Sequence, residues 1–164
     1  MEKNLRRINL REFEKFINLI NTDLRNHTEY HDRFAPMFHG NNRNLIFGTF
    51  KNCRREVDEY VIDVFVNENI KDVEEYFEKF NGIKDGFTSI LLYLKDSDKY
   101  NVYTPQKLEE GLRKIFRIKD KLKGTFEERY FTYNELVNKL RIKYGFPPQA
   151  MDIILINAYY SRRC

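Results

Sequence analysis

Residues 77–91 read Phe77-Glu78-Lys79-Phe80-Asn81-Gly82-Ile83-Lys84-Asp85-Gly86-Phe87-Thr88-Ser89-Ile90-Leu91. Apolar residues at helical spacing end at Phe80, and an almost wholly apolar run begins at Phe87 and continues to Leu94. The segment between them, 81–86, contains two glycines, which interrupt a helix. The stretch therefore predicts two helices joined by a short hairpin, with the apolar second helix at the centre of the core.

Helical periodicity also marks the sequence before this hairpin. From Asn9 to about Tyr30 it predicts a core-facing helix, and residues 33–43 carry the Pro, Gly and Asn of a connection. A further helix is predicted from Asn69 or Lys71 to Phe80. Between these, apolar residues recur at helical spacing at Val57, Tyr60, Val61, Val64 and Phe65.

Helix start and stop signals predict three helices after the hairpin. Thr104-Pro105 is a helix opening, with Thr as the N-cap, and this helix is expected to end near Ile118. Thr132-Tyr133-Asn134-Glu135 fits a capping box, and Gly145 ends the helix that it opens. Pro147-Pro148 opens the last helix.

Length and composition favour one all-α domain over residues 1–164. A chain of 164 residues with 41% hydrophobic residues can bury a core, which excludes general disorder. No strand is needed, so we expect a single compact helical domain of about seven helices.

The longest apolar run, Ile90 to Leu94, is far below the roughly 18 residues of a membrane span. Since Met1–Arg7 is charged and resembles no secretory signal, we expect a cytoplasmic protein without membrane contact.

The glycine hairpin has a physical use in anion binding. Glycines let backbone N–H groups approach an anion closely, and the following helix presents its positive end. We therefore expect Gly82, Lys84 and Gly86 to bind a DNA phosphate. The alternative is a plain structural turn, in which Gly82 only ends the preceding helix.

These residues resemble the helix-hairpin-helix motif of the DNA glycosylase superfamily and of DNA-repair proteins. Gly82-Ile83 matches the hairpin, Thr88-Ser89 stands where a small pair packs the two helices, and Ile90-Leu91-Leu92 matches the apolar run. The resemblance covers roughly residues 70–117. It implies an all-α fold built around this element, and DNA binding.

The position of the family's catalytic Asp is not acidic in this chain. Tyr103 and Thr104 occupy the candidate positions, and neither side chain can activate a nucleophile as a carboxylate does. Similar segments without that Asp also accompany prokaryotic restriction-type and ATPase proteins. The resemblance thus implies a DNA-binding module in repair or restriction, with no catalytic residue. A degenerate glycosylase or lyase that uses Lys79 or Lys84 as its nucleophile is an alternative.

Charge is distributed unevenly along a chain whose formal net charge is +4. Residues 113–123 hold six basic residues and one acid, Asp120. Such a basic helix can follow a DNA strand through its phosphates, which gives largely sequence-independent binding. The expected contacts are Arg113, Lys114, Arg117, Lys119 and Lys121.

An acidic face permits a different function. Residues 56–78 hold nine acids and one base, Lys71. A protein-interaction or regulatory subunit would use this face against a basic partner and the basic 113–123 face for self-association.

Neither a metal nor another cofactor is expected. His27 and His31 share a helical face, but the HExxH pattern is missing and His39 would have to supply a third ligand from a loop. Two cysteines, Cys53 and Cys164, are too few for a disulfide framework or a zinc site.

Aromatic and basic residues come together near the C-terminus. Tyr159 and Tyr160 precede Arg162 and Arg163, a composition that can stack on bases or clamp a strand. The favoured interpretation is a frayed, solvated terminus.

Overall fold

A computed structural model describes residues 52, 54–80 and 82–161, and these residues contain helices and no β-strand. The all-α prediction is thus confirmed for this part of the chain. The predicted helix at 9–30 and connection at 33–43 lie outside the described residues. In chain order the helices are α1 (Arg54–Val61), α2 (Glu74–Lys79), α3 (Asp85–Lys95), α4 (Leu108–Phe116), α5 (Phe126–Tyr144) and α6 (Pro148–Tyr160), and a π-helical segment (Ile62–Val66) continues α1.

Helix α2 begins later than the sequence indicated. The prediction of a start at Asn69 or Lys71 is wrong, because Asp72 has a φ of 60° and an L-residue in this left-handed region cannot continue an α-helix. The α-helix begins at Glu74. Residues 70–73 therefore form turns that lead into α2 rather than its first residues.

The hairpin between α2 and α3 is shorter than the predicted 81–86. Phe80 is extended, and Gly82 has a φ of 85°, a conformation that glycine adopts without steric strain. Helix α3 begins at Asp85, so Gly86 is a buried residue inside the helix and not part of the turn.

Helix α3 lies at the centre of the core, as predicted. Its apolar residues Ile90, Leu91 and Leu92 are buried. Thr88 and Ser89 are also buried, and each hydroxyl has a partner, as buried polar groups require. The Thr88 hydroxyl lies 2.6 Å from that of Tyr60, and Ser89 Oγ accepts a hydrogen bond of 2.9 Å from the Tyr103 backbone. The second bond attaches the segment before α4 to α3.

Helix α4 is displaced by a few residues from its predicted start. Thr104-Pro105 does not open the α-helix directly, because residues 105–107 form a turn and α4 begins at Leu108. Thr104 still caps this turn, since its hydroxyl accepts a 3.2 Å hydrogen bond from the Leu108 N–H. The helix ends at Phe116, because Arg117 has a φ of 55°.

Helix α5 begins at a capping box other than the predicted one. The expectation that Thr132 and Glu135 form the box is wrong, because Thr132 lies inside the helix and donates its hydroxyl hydrogen to the Glu128 carbonyl. Thr125 and Glu128 form the box, in which the Thr125 N–H donates to Glu128 Oε2 at 2.8 Å. Gly145 and Pro148 end α5 and begin α6 as predicted.

Helices α4 and α6 pack closely at Gly111. A Cβ added to Gly111 would lie 2.0 Å from the Leu155 carbonyl oxygen, so only glycine permits this approach. Met151 and Leu155 of α6 are buried here. The C-terminal ends of α4 and α6 consequently reach the same surface.

No helix in the described ranges is both long and apolar enough to cross a bilayer.

Candidate nucleic-acid interface

The three predicted hairpin residues have three different environments. Gly82 forms the turn, Gly86 is buried inside α3, and Lys84 is the exposed residue of the set. The amine of Lys84 donates a hydrogen bond to the Phe77 carbonyl near the end of α2. Basic side chains commonly satisfy carbonyls at a helix C-terminus, so Lys84 stabilises the hairpin.

The N-terminus of α3 already has an acidic residue in its first turn. The Asp85 carboxylate is largely buried there and lies 3.5 Å from Arg129. Burial raises the pKa of Asp85, although the nearby Arg129 opposes this shift. A carboxylate at a helix N-terminus interacts favourably with the helix dipole. The anion position that the sequence assigned to a phosphate is therefore close to a protein carboxyl group, which favours the structural-turn interpretation.

A basic cleft lies where α4 ends. It has a volume of about 530 Å³ and includes four of the five predicted basic residues, but not Lys121. Glu110 is the only acid among the described residues that line this cleft. We call this surface the basic cleft; its lining residues are Glu110, Arg113, Lys114, Arg117, Ile118, Lys119 and Ser161.

The basic run does not form one helix, which corrects the predicted basic helix. Arg113 and Lys114 lie in the last turn of α4, and Arg117 terminates it. The Ile118 N–H donates to the Arg113 carbonyl at 2.8 Å, which closes the helix end. Lys119 and Lys121 therefore belong to the irregular segment between α4 and α5.

Arg113 positions this segment through a contact with its backbone. Its side chain is 12% exposed, and its Nη1 donates a 3.0 Å hydrogen bond to the Lys119 carbonyl. Its Nε lies 3.6 Å from Glu109 Oε1 and makes no hydrogen bond with a described residue. The buried Glu109 carboxylate also accepts hydrogen bonds from the Leu122 N–H and the Tyr103 hydroxyl, at 2.9 and 2.6 Å. The Arg113 and Glu109 pair thus holds the backbone that carries Lys119.

Polar side chains connect the hairpin with the Arg113 and Glu109 pair. Arg129 pairs with Asp85 and also interacts with the hydroxyl of Tyr103. Burial, together with the Glu109 carboxylate, raises the pKa of Tyr103, so its hydroxyl stays protonated and donates to Glu109. Electrostatic interactions among these side chains therefore extend through the protein interior from the hairpin to the support of the basic cleft.

Lys114 fixes the end of α6 beside the basic cleft. Its amine donates to the carbonyls of Tyr159 and, at 3.2 Å, of Ser161. The expectation of a frayed terminus is wrong for Tyr159 and Tyr160, because α6 extends to Tyr160. Arg162 and Arg163 lie outside the described residues.

Arg117, Lys119 and Lys121 are exposed, and Lys123, in the same segment, is exposed as well. The sequence pattern did not identify two residues of this region. Glu109 supports the segment that carries Lys119, and Lys107 Nζ lies 5.9 Å from the centre of the Tyr160 ring. A Glu in the first turn of a helix and a single Lys in a turn carry no signal until the fold places them beside other groups.

Acidic residues line a separate cleft of about 340 Å³, between the turn before α2 and the start of α5. Asp72 and Glu75 are exposed there. Glu74 is already paired with Arg129 at 3.2 Å, and Glu128 takes part in the capping box. As far as the lining is described, the cleft carries five carboxylates, at Asp72, Glu74, Glu75, Glu127 and Glu128, against one cation, Lys71.

In the part of the chain that the structure describes, no group of three or more His, Cys, Asp or Glu residues is arranged to hold a metal ion. His27, His31 and His39 lie outside it.

No family model, curated protein or solved structure matches the chain. Geometry and charge are therefore the basis for assigning a function.

Proposed function

We propose that the chain is a non-catalytic DNA-binding module that contacts the phosphate backbone through the basic cleft. One observation supports this most directly: in the described part of the chain, four cationic residues line a single cleft together with one acid. A helix C-terminus by itself repels anions, because its carbonyls carry the negative end of the helix dipole. The excess of cations at this helix end offsets that repulsion.

The cations of the basic cleft divide into two roles. Arg113 and Lys114 hold protein carbonyls, so they position the surface. Arg117 and Lys119 are exposed and are proposed to contact phosphates, together with the exposed Lys121 of the same segment, which does not line the cleft. Since phosphates are the same at every base pair, binding is expected to be salt-sensitive and largely independent of sequence.

The hairpin that resembles the helix-hairpin-helix motif is proposed to make a smaller contribution to DNA binding. Lys84 is its exposed cation and is proposed as a subsidiary phosphate contact beside Gly82. Gly86, which is buried, is assigned to packing within the element. The nearby Asp85 makes the expected contribution of the hairpin smaller than that of the basic cleft.

Fluorescence anisotropy with labelled DNA at two salt concentrations tests this proposal. The variant Arg117→Glu/Lys119→Glu reverses two charges at the basic cleft, and Lys139→Glu/Lys143→Glu is its control. The control makes the same change in net charge at exposed positions of α5. We expect the cleft variant to bind at least about tenfold more weakly, which is about 1.4 kcal/mol, and the control to bind within about twofold of the native chain.

Equal losses in both variants would show that only net charge matters, and the basic cleft would be abandoned as the site. Lys84→Glu measures the hairpin in the same assay. We expect it to weaken binding less than the cleft variant does.

The acidic cleft favours a second candidate function, a protein-interaction subunit. Its five carboxylates suit a basic protein surface, including the basic cleft of another copy. Sedimentation velocity at several protein concentrations would detect such self-association. Complexes that dissociate in high salt, combined with no DNA binding, would favour this candidate.

The lyase alternative depends on a lysine amine that attacks an abasic sugar. The amine of Lys84 donates to the Phe77 carbonyl, and that of Lys79 lies 5.9 Å from the centre of the Tyr76 ring. Borohydride trapping on an abasic duplex tests this chemistry. A covalent adduct that persists in both Lys79→Ala and Lys84→Ala would exclude each as the sole nucleophile.

A further inference from the structure

Two adjacent tyrosines end α6 at the edge of the basic cleft. Their ring centres lie 4.9 Å apart in an edge-to-face arrangement. Tyr159 is half-buried, whereas Tyr160 is 52% exposed. The next residue, Ser161, lines the cleft. The aromatic pair is therefore continuous with the cationic surface.

Lysines from α4 and from the turn before it hold this aromatic pair. Lys114 Nζ lies 5.5 Å from the centre of the Tyr159 ring, and it also hydrogen-bonds the Tyr159 carbonyl. Lys107 Nζ lies 5.9 Å from the centre of the Tyr160 ring. Cations at such distances are attracted to the ring face. The rings are thereby positioned before any ligand arrives.

We propose that the basic cleft and Tyr160 together bind single-stranded DNA, with a base stacked on the Tyr160 ring and the adjoining phosphates on Arg117 and Lys119. This inference rests on the proposed function and specifies its substrate class. Bases in a duplex are stacked on one another, so only an unpaired base can offer its face to a side chain. An exposed aromatic ring beside cations is the combination by which sequence-tolerant single-strand binders hold their ligand.

Tyr144 provides a matched control within the same chain. It is 56% exposed, and Lys143 Nζ lies 5.1 Å from its ring centre, so it has similar exposure and a similar cation contact. Its surroundings differ, because Tyr144 is the last residue of α5, stacks on Phe146 and lies two residues after the exposed Ile142. Tyr144 thus has the aromatic group without the basic cleft.

The absence of tryptophan from the sequence allows a direct measurement of stacking. Tyr160→Trp places the only tryptophan of the chain at the proposed stacking position, and Tyr144→Trp places it at the control position. Titration with a 20-nucleotide oligothymidylate is expected to quench the fluorescence of the first variant and to leave that of the second nearly unchanged.

Binding measurements on Tyr160→Ala complete the test. We expect this variant to bind the oligothymidylate about tenfold more weakly than the native chain, since one stacked base is lost, and to bind duplex DNA within about twofold. Tyr160→Phe keeps the ring and is expected to bind like the native chain. Thermal unfolding of each variant confirms that it is folded.

The results separate this inference from the proposed function. If Arg117→Glu/Lys119→Glu weakens binding while Tyr160→Trp is not quenched, the single-strand inference is overturned and phosphate binding by the basic cleft stands. Equal losses of single-strand and duplex binding in Tyr160→Ala would also overturn it. If the native chain binds neither DNA at low salt, both are overturned.

Discussion

At the residue scale, Asp152 is a carboxyl group that the fold buries. It lies on α6, is 4% exposed, and has Tyr133 of α5 nearby. Burial raises the pKa of Asp152 to about 8, from a usual value of 3.8. The folded state therefore holds a proton that the unfolded chain releases. Stability is consequently lost as the pH rises from about 4 to about 8, and the full loss is reached above that range.

We expect Asp152→Asn to remove this pH dependence. Thermal unfolding at pH 5, 7 and 9 should show the variant gaining stability relative to the native chain as the pH rises, by a few kcal/mol at most, at about 1.4 kcal/mol per pKa unit. Glu135→Gln is the control, because Lys139 lowers the pKa of the exposed Glu135 and its removal should have little effect. Parallel profiles for the native chain and Asp152→Asn would contradict the expectation.

Gly111 is a second single residue on which the fold depends. A Cβ at this position meets the backbone of Leu155, which cannot rotate away. We expect Gly111→Ala to destabilise the protein by about 3 kcal/mol or more in urea unfolding, at or above the upper end of typical overpacking effects. Gly145→Ala is the comparison, since it meets open space and is strained only by its φ of 67°, at about 1 to 2 kcal/mol. A smaller loss for Gly111→Ala would mean that α4 and α6 can separate slightly.

At the element scale, α5 offers two matching Thr-x-x-Glu patterns, of which only one starts the helix. Thr125 accepts a hydrogen bond from the Glu128 N–H at 3.3 Å, whereas Thr132 is inside the helix. Thr125→Ala is expected to lower the free energy of unfolding by about 1 kcal/mol. Thr132→Ala should be neutral or slightly stabilising, because alanine has the higher helix propensity. Similar losses from the two substitutions would argue against the assigned cap.

The helices could be predicted from the sequence better than their ends. Apolar periodicity predicted α1 and α3, since a helix that buries one face needs apolar residues at helical spacing in any tertiary structure. The starts of α2 and α5 and the end of α4 depend on other interactions. Asp72 and Arg117 have positive φ values, and no sequence pattern predicts positive φ values in residues other than glycine. Gly124, with a φ of 103°, directly precedes the capping box of Thr125 and Glu128 and is the sequence signal that indicates it.

At the scale of the whole molecule, the sequence shows the basic run, but it does not show which of its cations bind protein carbonyls and which are exposed. Linear charge density cannot show that Arg113 and Lys114 bind protein carbonyls, because those carbonyls come from residues six and more than 40 positions away. Nor can it place Tyr160 beside Lys107, on an element more than 50 residues earlier. The contacts depend on the close packing of α4 on α6, which Gly111 permits.

The two forces proposed for DNA binding respond differently to salt. Arg117, Lys119 and Lys121 are expected to neutralise three phosphates, so for single strands log K should fall with log salt at a slope of about −2. Arg117→Glu/Lys119→Glu should reduce the magnitude of this slope to roughly 0.7, because Lys121 is the one of these three contacts that remains. Stacking releases no counterions, so Tyr160→Ala should lower the affinity equally at every salt concentration and keep the slope. Anisotropy titrations from low to moderate salt measure all three slopes, and a slope that changes with Tyr160→Ala would show that Tyr160 acts by positioning the cations rather than by stacking.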